Sequence, residues 1–535
     1  MSTAVQIIAQ RLYDAGCRYA FGIPGGEVLA IMEALDDVGI SVVLTKHENC
    51  AGFMAEGVHH HDGAPAILVA TIGPGIANAA NVIANALQDR VPMIALTGCV
   101  PATQAHTYTH QVFDHVKLAE PITKAAFRVE QGAVSVIADK AVAIATEGRP
   151  GPVLLDVPID VQTADQPIAT TTNRAPLSAM VPADGVDLTA ARNWLTGAKR
   201  PLVIAGIDVL NQQGQATVAA FCKALSIPLI TSYKAKGIIP EDQPLSLGGA
   251  GLSPKADKHL LPLVQASDLI ILAGYDPIEM RTGWQNPWQS DTRVIDISAV
   301  SNTHYMHQAS INFTGDVAAT LDLIREGVTT GSTWSDGEPA QTREALRAGH
   351  GLDEEWGPSA VVDECRKGFP SDTIATADSG AHRILISQAW DCYEPRGLLQ
   401  SSALCTMGCA VPLAMGRKLA EPTRPVVAFV GDAGLEMFLG ELATIRDLKI
   451  SVPIVVFVDG SLALIELKQR GMQLPNLAVD FGETDFPQLA KAMGGEGAWC
   501  RDRESLSREV KAAQGRDTFT LLCAVIGARA YDGRI

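Results

Sequence analysis

The sequence predicts an α/β protein built from three doubly wound parallel sheets. Short apolar, β-branched runs such as residues 425–430 and 453–458 alternate with segments of helical period along the chain. This alternation is typical of βαβ units in a parallel sheet. The length of 535 residues allows three or four domains of ordinary size. Residues 162–186 and 327–339 have no period and are rich in turn-forming residues, which indicates linkers. The predicted domains are residues 1–165, 187–327 and 340–535.

The composition narrows the class of function. The chain has 59 acidic and 42 basic residues, a net charge of −17, which argues against a nucleic-acid-binding surface. No apolar run is long enough to span a bilayer, and the start of the chain, MSTAVQIIAQRLYDAG, predicts an amphipathic helix rather than a signal peptide. The ten cysteines include no CxxC pair, which favours reduced core thiols over disulfides or a zinc site. We therefore expect a cytoplasmic protein that binds neither nucleic acid nor a membrane.

Two carboxylates in the third domain follow neighbouring predicted strands. The strand at 425–430 leads into the turn Gly431-Asp432-Ala433-Gly434 and a helical pattern over 435–448, and the strand at 453–458 ends at Asp459. Open α/β sheets bind ligands at the carboxyl ends of their strands. Carboxylates beside a Gly-rich turn and a helix start suit a divalent cation that holds a phosphate group. A Gly-Asp turn after a strand is also common as a plain loop.

The first domain has two motifs in comparable positions. His47-Glu48 follows a predicted strand at 40–45, and Gly73-Pro74-Gly75, with Asn78 behind it, opens a helix after the strand at 66–71. Taken alone, Glu48 is explained as a carboxylate stabilised at a helix N-terminus. The Gly-Pro-Gly turn is likewise explained as a helix start. Neither motif alone establishes a function.

In this order and spacing, the motifs resemble those of the thiamine diphosphate enzymes of the acetolactate synthase, pyruvate decarboxylase and benzoylformate decarboxylase superfamily. The resemblance extends over essentially the whole chain. Residues 21–27 (FGIPGGE), the His47-Glu48 pair, the Gly-Pro-Gly turn and residues 121–124 (PITK) are most similar to the acetolactate synthase branch. The resemblance implies that the first domain binds the aminopyrimidine and the third the diphosphate, while the central domain is structural or binds a nucleotide.

The resemblance also implies a role for each matching residue. Glu48 stands where the activating glutamate of the family hydrogen-bonds the aminopyrimidine, and Met407 stands where an apolar residue wedges between the two cofactor rings. Asp432 and Asp459 would bind magnesium, with a backbone carbonyl near Leu462 completing the shell. The other implied cofactor contacts are Pro24, Gly25, Thr71, Gly75, Asn78, Gly380, Ala381, His382, Gly431, Ala433 and Gly434.

The metal-binding motif departs from the family pattern at two places. The family usually has Gly-Asp-Gly where this chain has Gly431-Asp432-Ala433, and Asn-Asn where it has Asp459-Gly460. Glycine has no side chain to offer, so Asp459 or a water must supply that oxygen. These departures leave open, as a minor alternative, a non-catalytic regulatory homologue.

His110, Gln111 and Glu466 are the candidate residues on the substrate side. The loop at 104–115 should overhang the cofactor, where the acetolactate synthase branch has Phe-Gln-Glu and the decarboxylase branch has paired histidines. Glu466 lies where several decarboxylases place a substrate-facing glutamate, or else it is a helix residue paired with Lys468 or Arg470.

Other histidines near these motifs are expected to be solvated. His106 and His115 lie in the same polar loop, and the run His59-His60-His61-Asp62 lies between a predicted helix and a predicted strand. We expect a solvated connector there rather than a metal site.

The function implied by the resemblance is an acetolactate synthase-like enzyme. Such an enzyme decarboxylates a 2-oxo acid and ligates the product to a second carbonyl compound, giving a 2-hydroxy ketone or acid. The alternative is a non-oxidative 2-oxo acid decarboxylase that releases an aldehyde. Thiamine diphosphate and Mg²⁺ are the implied cofactors, and FAD or ADP in the central domain is doubtful because only residues 248–251 and 274–277 support it. Because the family places its cofactor between two chains, we expect a homodimer or homotetramer with the active site between chains.

Overall fold

The computed structural model describes residues 2–167, 175, 177–278, 280–329, 331 and 333–535. Within these residues the chain forms three six-stranded sheets, one after another along the sequence. Every strand pairing inside these sheets is parallel. The predicted class, α/β with three doubly wound parallel sheets, is confirmed.

The first sheet has the strand order β3-β2-β4-β5-β7-β6, and a short antiparallel pair, β1 with β8, lies outside it. The order reverses between β2 and β4, which places the ligand-binding crevice of such a sheet at their carboxyl ends. The elements of this region are β1 (Ser2–Thr3), α1 (Ala4–Asp14), β2 (Tyr19–Gly22), α2 (Leu29–Asp37), β3 (Ser41–Leu44), α3 (Glu48–Asp62), β4 (Ala66–Ala70), α4 (Pro74–Gln88), β5 (Met93–Cys99), α5 (His115–Ala119), β6 (Ala125–Arg128), α6 (Val134–Thr146), β7 (Pro152–Pro158), α7 (Ile159–Gln162) and β8 (Asp165–Gln166).

The central sheet has the order β11-β10-β9-β12-β13-β14, with its reversal between β9 and β12. Its elements are α8 (Val186–Gly197), β9 (Pro201–Ala205), α9 (Ile207–Asn211), α10 (Gln215–Leu225), β10 (Leu229–Ser232), β11 (Ser246–Ala250), α11 (Pro254–Ala266), β12 (Leu269–Ala273), β13 (Arg293–Ser298), β14 (Ile311–Thr314) and α12 (Val317–Arg325). Parts of both predicted linkers, at 168–174, 176, 330 and 332, lie outside the described residues.

The third sheet has the order β16-β15-β17-β18-β20-β19, with its reversal between β15 and β17. Its elements are α13 (Glu338–Gly349), α14 (Pro358–Gly368), β15 (Ile374–Ala377), α15 (Ala381–Ala389), β16 (Leu398–Gln400), α16 (Ala410–Ala420), β17 (Val426–Gly431), α17 (Asp432–Glu436), α18 (Glu441–Leu448), β18 (Pro453–Val458), α19 (Ala463–Gly471), α20 (Phe486–Ala492), β19 (Glu496–Cys500), α21 (Arg503–Ala513) and β20 (Thr520–Val525).

The first and third sheets share one hydrophobic core. It contains buried residues of α3 and α4 from the first region and of α16, β17 and β18 from the third, and α3 packs directly on α16. The central region has separate cores on the two faces of its sheet. The first and third regions are therefore fixed against each other by apolar burial, which is the main driving force for packing.

The helical pattern predicted over 435–448 is two helices rather than one. A turn at 437–440 separates α17 from α18. Glu441, fully buried at the start of α18, accepts hydrogen bonds from the backbone N–H groups of Lys46 (2.9 Å) and His47 (3.0 Å). The break thus lets α18 hold the segment that precedes Glu48, a long-range contact that helical periodicity does not encode.

Candidate functional site

A cleft lies at the carboxyl ends of β15, β17 and β18, beside the reversal of strand order in the third sheet. All ten third-domain residues predicted to contact cofactor or metal line it, namely Gly380, Ala381, His382, Met407, Gly431, Asp432, Ala433, Gly434, Asp459 and Leu462. Phe457, Tyr531 and residues 463–465 contribute apolar surface to the same cleft. The structure therefore brings together the third-domain half of the predicted site.

Asp432 ties together the two turns that follow β17 and β18. Its Oδ2 accepts the N–H groups of Asp459 (3.0 Å) and Gly460 (2.8 Å), and its Oδ1 accepts that of Ala433 (2.8 Å). Burial raises the pKa of Asp432, and burial together with the nearby charge of Asp432 raises the pKa of Asp459 to about 7. A divalent cation between the carboxylates would favour the ionised form of both.

The departure at Gly460 has a backbone explanation. Gly460 has φ of +65° and its carbonyl accepts the N–H of Phe481 (3.0 Å). Glycine adopts this left-handed conformation freely, and asparagine adopts it more readily than most residues. The backbone of this chain at residue 460 could therefore also accommodate asparagine. Leu462, by contrast, uses its carbonyl to accept the N–H groups of Ile465 and Glu466 at the start of α19.

Two further residues at or beside the cleft, Tyr531 in its lining and Asp378 behind it, were not among the predicted contacts. Asp378, fully buried after β15, binds His382 Nε2 (2.7 Å) and accepts the N–H groups of Gly408 (2.6 Å) and Gly431 (3.3 Å). Tyr531 is 3% exposed, and burial with the charges of the nearby carboxylates raises its pKa. The sequence signal for Asp378 is its place directly after a predicted strand. Tyr531 lies far along the chain, and no motif marks it.

The cleft suits a diphosphate bound with a divalent cation. The N-termini of α15 and α19 lie at the cleft without side-chain caps, and the positive end of a helix dipole favours an anion such as phosphate. Asp432 and Asp459 add hard oxygen ligands. Among the described residues no group of three or more His, Cys, Asp or Glu side chains is arranged to hold a metal, so a cation here would also need phosphate, backbone or water oxygens.

The first-domain residues form a second cluster that is separate from this cleft. Glu48, 5% exposed at the start of α3, accepts a hydrogen bond from Asn78 Nδ2 (3.0 Å). A Cβ atom on Gly25 would lie 2.1 Å from Thr71 Oγ1, so the turn after β2 requires glycine at this close approach. Gly75 lies against Thr71 and Glu48. These residues, with Pro24, surround the carboxyl ends of β2 and β4, and none of them lines the third-domain cleft of the same chain.

The loop at 104–115 lies against the Gly-Pro-Gly turn. A Cβ atom on Gly73 would lie 2.4 Å from the carbonyl oxygen of Gln111, which itself has φ of +58°. His110 is exposed, with its ring edge-on to Tyr108. The expectation that His115 is solvated is wrong. It is 2% exposed, its Nε2 accepts the N–H of Gly73 (3.2 Å), and its Nδ1 lies 2.9 Å from Asp156.

Glu466 is engaged in ion pairs. Its carboxylate accepts hydrogen bonds from Arg470 Nε and Nη2, both at 3.1 Å, and lies 3.3 Å from Arg529. Arg470 also binds Asp532. The contact with Arg470 matches the expectation that Glu466 is a paired helix residue. Its neighbour Ile465 lines the cleft.

The expectation of a solvated connector at His59-His60-His61-Asp62 is wrong for His59 and His60, whereas His61 and Asp62 are exposed. These residues are the last turn of α3. His59 is 6% exposed and its Nδ1 lies 2.8 Å from the Ala64 carbonyl, while His60 Nε2 lies 3.1 Å from Glu56 Oε1. Burial lowers the pKa of both histidines. They are neutral core residues packed where three regions of the chain meet.

The two segments of the central region that suggested a nucleotide, residues 248–251 and 274–277, lie at β11 and directly after β12. Residues 248–250 belong to the edge strand β11, so they do not form a phosphate loop. At the reversal between β9 and β12, Arg149 binds Asp208 through two nitrogens (3.1 and 3.0 Å) and contacts Asp276 (3.2 Å). Asp208 and Asp276 are 1% and 6% exposed. Arg90 also lies 2.9 Å from Asp276, so the carboxylates at this strand edge are paired with arginines.

Comparison with known proteins decides the family. The chain matches the model of the thiamine pyrophosphate enzyme N-terminal binding domain over residues 2–118, the central domain over 188–324, and the C-terminal binding domain over 378–524. The chain belongs to the thiamine pyrophosphate enzymes. Thiamine pyrophosphate is the same molecule as thiamine diphosphate.

Within this family the chain is similar to acetolactate synthases. It is 31% identical over 508 residues to the acetolactate synthase isozyme 1 large subunit of Escherichia coli (strain K12), covering 92% of this chain and 88% of that protein. It is 28% identical to the acetolactate synthase of Bacillus subtilis (strain 168), covering 92% and 87%. It is also 28% identical to the probable 2-ketoarginine decarboxylase AruI of Pseudomonas aeruginosa, covering 97% and 93%. The helices of the described residues include none long and apolar enough to cross a membrane.

Proposed function

We propose that this thiamine pyrophosphate enzyme is a cytoplasmic, acetolactate synthase-like decarboxylase and carboligase that uses Mg²⁺ and acts on a small 2-oxo acid. The observation that carries the proposal is the cleft in which Asp432, Asp459, Met407 and the Asp378–His382 pair meet at the carboxyl edge of the third sheet. Similarity to several acetolactate synthases over most of the chain favours carboligation.

Some of the candidate site residues would bind the cofactor, and others would transfer a proton or face the substrate. When bound, the cofactor supplies a carbon nucleophile that adds to the 2-oxo acid carbonyl and accepts the electron pair released with carbon dioxide. Asp432 and Asp459 would hold Mg²⁺ and, through it, the diphosphate. Glu48 would hold the aminopyrimidine and govern its protonation. His110 and Gln111 would face the substrate from the loop beside the Gly-Pro-Gly turn.

The proposed active site lies between two chains. Residues 1–165 hold the aminopyrimidine and residues 340–535 hold the diphosphate, yet Glu48 does not line the cleft that Asp432 lines in the same chain. A second copy that presents its first-domain cluster to the third-domain cleft would complete the site. We therefore propose a homodimer or homotetramer.

Incubation with pyruvate, thiamine diphosphate and Mg²⁺ tests the reaction. We expect acetolactate, or the acetoin formed from it, as the product. Acetaldehyde without either would contradict carboligation and support the second candidate, a non-oxidative decarboxylase. That candidate is favoured by His110 in the loop and by the similarity to the probable 2-ketoarginine decarboxylase. If pyruvate is unchanged, a panel of larger 2-oxo acids identifies the substrate class.

A thermal melt tests the non-catalytic alternative. A ligand that binds only the folded state raises the midpoint of unfolding. We expect the midpoint to rise on addition of thiamine diphosphate with Mg²⁺. An unchanged midpoint together with no turnover would support a regulatory homologue.

Replacing Glu48 by Gln tests the assignment of the proton-transfer group. Turnover should fall by about 10²-fold or more because the amide cannot exchange the proton. Affinity for thiamine diphosphate should change by less than about tenfold, since one hydrogen bond is altered. Glu33→Gln, on the exposed face of α2, is the matched control. Full turnover by the Glu48→Gln variant would contradict the assignment.

A further inference from the structure

A ladder of polar side chains on one face of α4 reaches from the first-domain cluster to the loop that carries Met407. Its members are Asn78, Asn81 and Asn85, which share one helix face, and Asp89, the C-terminal cap of α4, which continues the same spacing of three, four and four residues. Asn78 donates to Glu48 (3.0 Å). The other three face residues 401–406 of the third region.

Two hydrogen bonds join Asn81 and Asn85 to this loop, and a third lies within the loop. Asn81 Oδ1 accepts the hydroxyl of Thr406 (2.9 Å), and Asn85 Oδ1 accepts that of Ser401 (2.6 Å). Ser401 Oγ in turn accepts the N–H of Thr406 (3.0 Å). Asn81 and Asn85 thus each hold a residue within six positions of Met407 in the sequence.

Asp89 makes the strongest of these contacts. Its two carboxylate oxygens accept the N–H groups of Ser402 and Ala403, each at 3.0 Å, and Lys234 Nζ lies 3.0 Å from Oδ2. Asp89 is 3% exposed. Hydrogen bonds to a buried charged group contribute more than neutral ones. Lys234 belongs to the central region and the loop to the third. Asp89, in the first region, therefore contacts both of the other regions.

The loop needs external support because of its own backbone. Cys405 has φ of +54°, which is unfavourable for a residue other than glycine, and Gly408 has φ of +76°. Asp378 fixes the far end of the loop through the N–H of Gly408 (2.6 Å). Met407 therefore lies between an anchor in the third domain and an anchor on α4.

We infer that Asp89, Asn81 and Asn85 are positioning residues that fix the location of the Met407 side chain in the cofactor cleft. Through α4 they also couple the position of Met407 to that of Glu48. The inference rests on the proposed function because it gives Met407 a cofactor to support. In the two-chain assembly, Glu48 and Met407 of one chain serve different sites. The ladder is then a rigid link between two active sites.

A double-mutant cycle on Asp89→Asn and Met407→Ala tests this. The measured quantity is the dissociation constant of thiamine diphosphate at saturating Mg²⁺. Asp89→Asn should weaken binding about tenfold in the wild-type background, the size expected for a charged buried hydrogen bond. In the Met407→Ala background the loss should shrink to about twofold or less, because residues that act as a unit are not additive. Equal losses in both backgrounds would overturn the inference.

Glu241→Gln is the matched control. Glu241 is also buried, pairs with Lys236 (2.8 Å) and accepts a backbone N–H, that of Cys392 (2.8 Å), but it does not contact residues 401–408. It should lower stability without weakening cofactor binding. A loss of affinity equal to that of Asp89→Asn would show that the Asp89 effect is general destabilisation and would overturn the inference.

Hydrogen exchange of the cofactor-free protein gives a second readout. Asp89→Asn should speed exchange in the peptide spanning residues 401–408, and Glu241→Gln should not. If Asp89→Asn fails to fold, Asn81→Ala removes only the Thr406 contact from the exposed part of the ladder and should speed exchange at the same peptide. Unchanged exchange in the ladder variants would overturn the inference. Failure of the proposed function would give a different result. The wild-type protein would then turn over no 2-oxo acid, while Asp89→Asn would still speed exchange at residues 401–408.

Discussion

Gly460 has φ of +65°. A Cβ atom added to it would have no neighbour closer than the carbonyl oxygen of Phe481, at 3.6 Å. The site therefore has room for a side chain but restricts the backbone. Gly460→Asn should leave the midpoint of thermal unfolding almost unchanged because asparagine tolerates the left-handed region. Gly460→Val should lower the free energy of unfolding by about 1–3 kcal/mol, since a β-branched residue is strained there.

Both Gly460 variants are measured by thermal denaturation without cofactor and by magnesium titration in the presence of thiamine diphosphate. Gly460→Asn returns the residue that the family usually has, so its Mg²⁺ affinity should equal or exceed that of the wild type. Equal stability of the Asn and Val variants would contradict the backbone explanation.

His350 gives the protein a stability that depends on pH. It is 4% exposed, and burial, with a smaller effect from the charge of Lys255, lowers its pKa from 6.5 to about 4. The unfolded chain therefore binds more protons than the folded chain between these values. Stability from this residue is complete above pH 6.5 and is lost as the pH falls toward 4, by on the order of 3 kcal/mol in full.

The measurement is the midpoint of thermal unfolding from pH 8 to pH 4.5. His350→Leu should flatten the acid side of the profile, whereas His61→Leu, at an exposed position, should leave it unchanged. Identical acid slopes for the wild type and His350→Leu would contradict the assignment.

At the scale of elements, the contact of α3 with α16 places the two halves of the site relative to each other. A Cβ atom on Gly416 would lie 1.9 Å from the carbonyl oxygen of Met54, and one on Gly57 would lie 2.4 Å from that of Leu413. The helices thus approach backbone to backbone. Glu48 begins α3 and Met407 lies just before α16, so the spacing of these helices affects both.

Gly416→Ala should separate the two helices. The free energy of unfolding should fall by about 2–3 kcal/mol, as for other overpacked cores, and the affinity for thiamine diphosphate should fall with it. Gly197→Ala, at the end of α8 with nothing within 4 Å, is the control and should be neutral or stabilising by up to about 1 kcal/mol. Chemical denaturation of both variants checks this, and equal stability would contradict the close packing.

The elements also show what the sequence could predict. Central strands such as β17 and β18 are buried on both faces, read as continuous apolar runs, and were predicted within a residue or two. The edge strand β19 is half exposed and was not predicted, and the glycines of the edge strand β11 were considered only as weak support for a nucleotide. Periodicity reports burial, so it is weakest where a strand has a neighbour on one side only.

The candidate site likewise contains residues that the sequence could place and residues that it could not. Residues that directly follow predicted strands, such as Asp432 and Asp459, could be placed at one edge because parallel strands end together. His115 and Tyr531 could not, because their burial depends on contacts with distant segments. A polar residue in a loop has no periodic signal for burial, so His115 was expected in solvent although it supports the Gly-Pro-Gly turn.

At the scale of the whole molecule, a mixing experiment tests whether the active site lies between chains. Glu48→Gln and Asp432→Asn variants should each be inactive alone. A mixed dimer of the two has one site in which both residues are wild type, provided that each site takes Glu48 from one chain and Asp432 from the other. If each site were built from a single chain, every site in the mixture would carry one defect.

Subunits are exchanged by dissociating and reassociating an equimolar mixture, and turnover is compared with that of wild type at equal chain concentration. Random reassociation makes about half of the dimers mixed, each with one intact site out of two, so activity should recover to about a quarter of wild type. The control is a mixture of Glu48→Gln with Asn78→Ala, a second change in the first-domain cluster. It should recover nothing, because each site takes that cluster from one chain and therefore carries one of the two changes. Recovery near zero in the Glu48→Gln and Asp432→Asn mixture, with dimer formation verified by light scattering, would place the whole site within one chain. It would also remove the reason to describe α4 as a link between two sites.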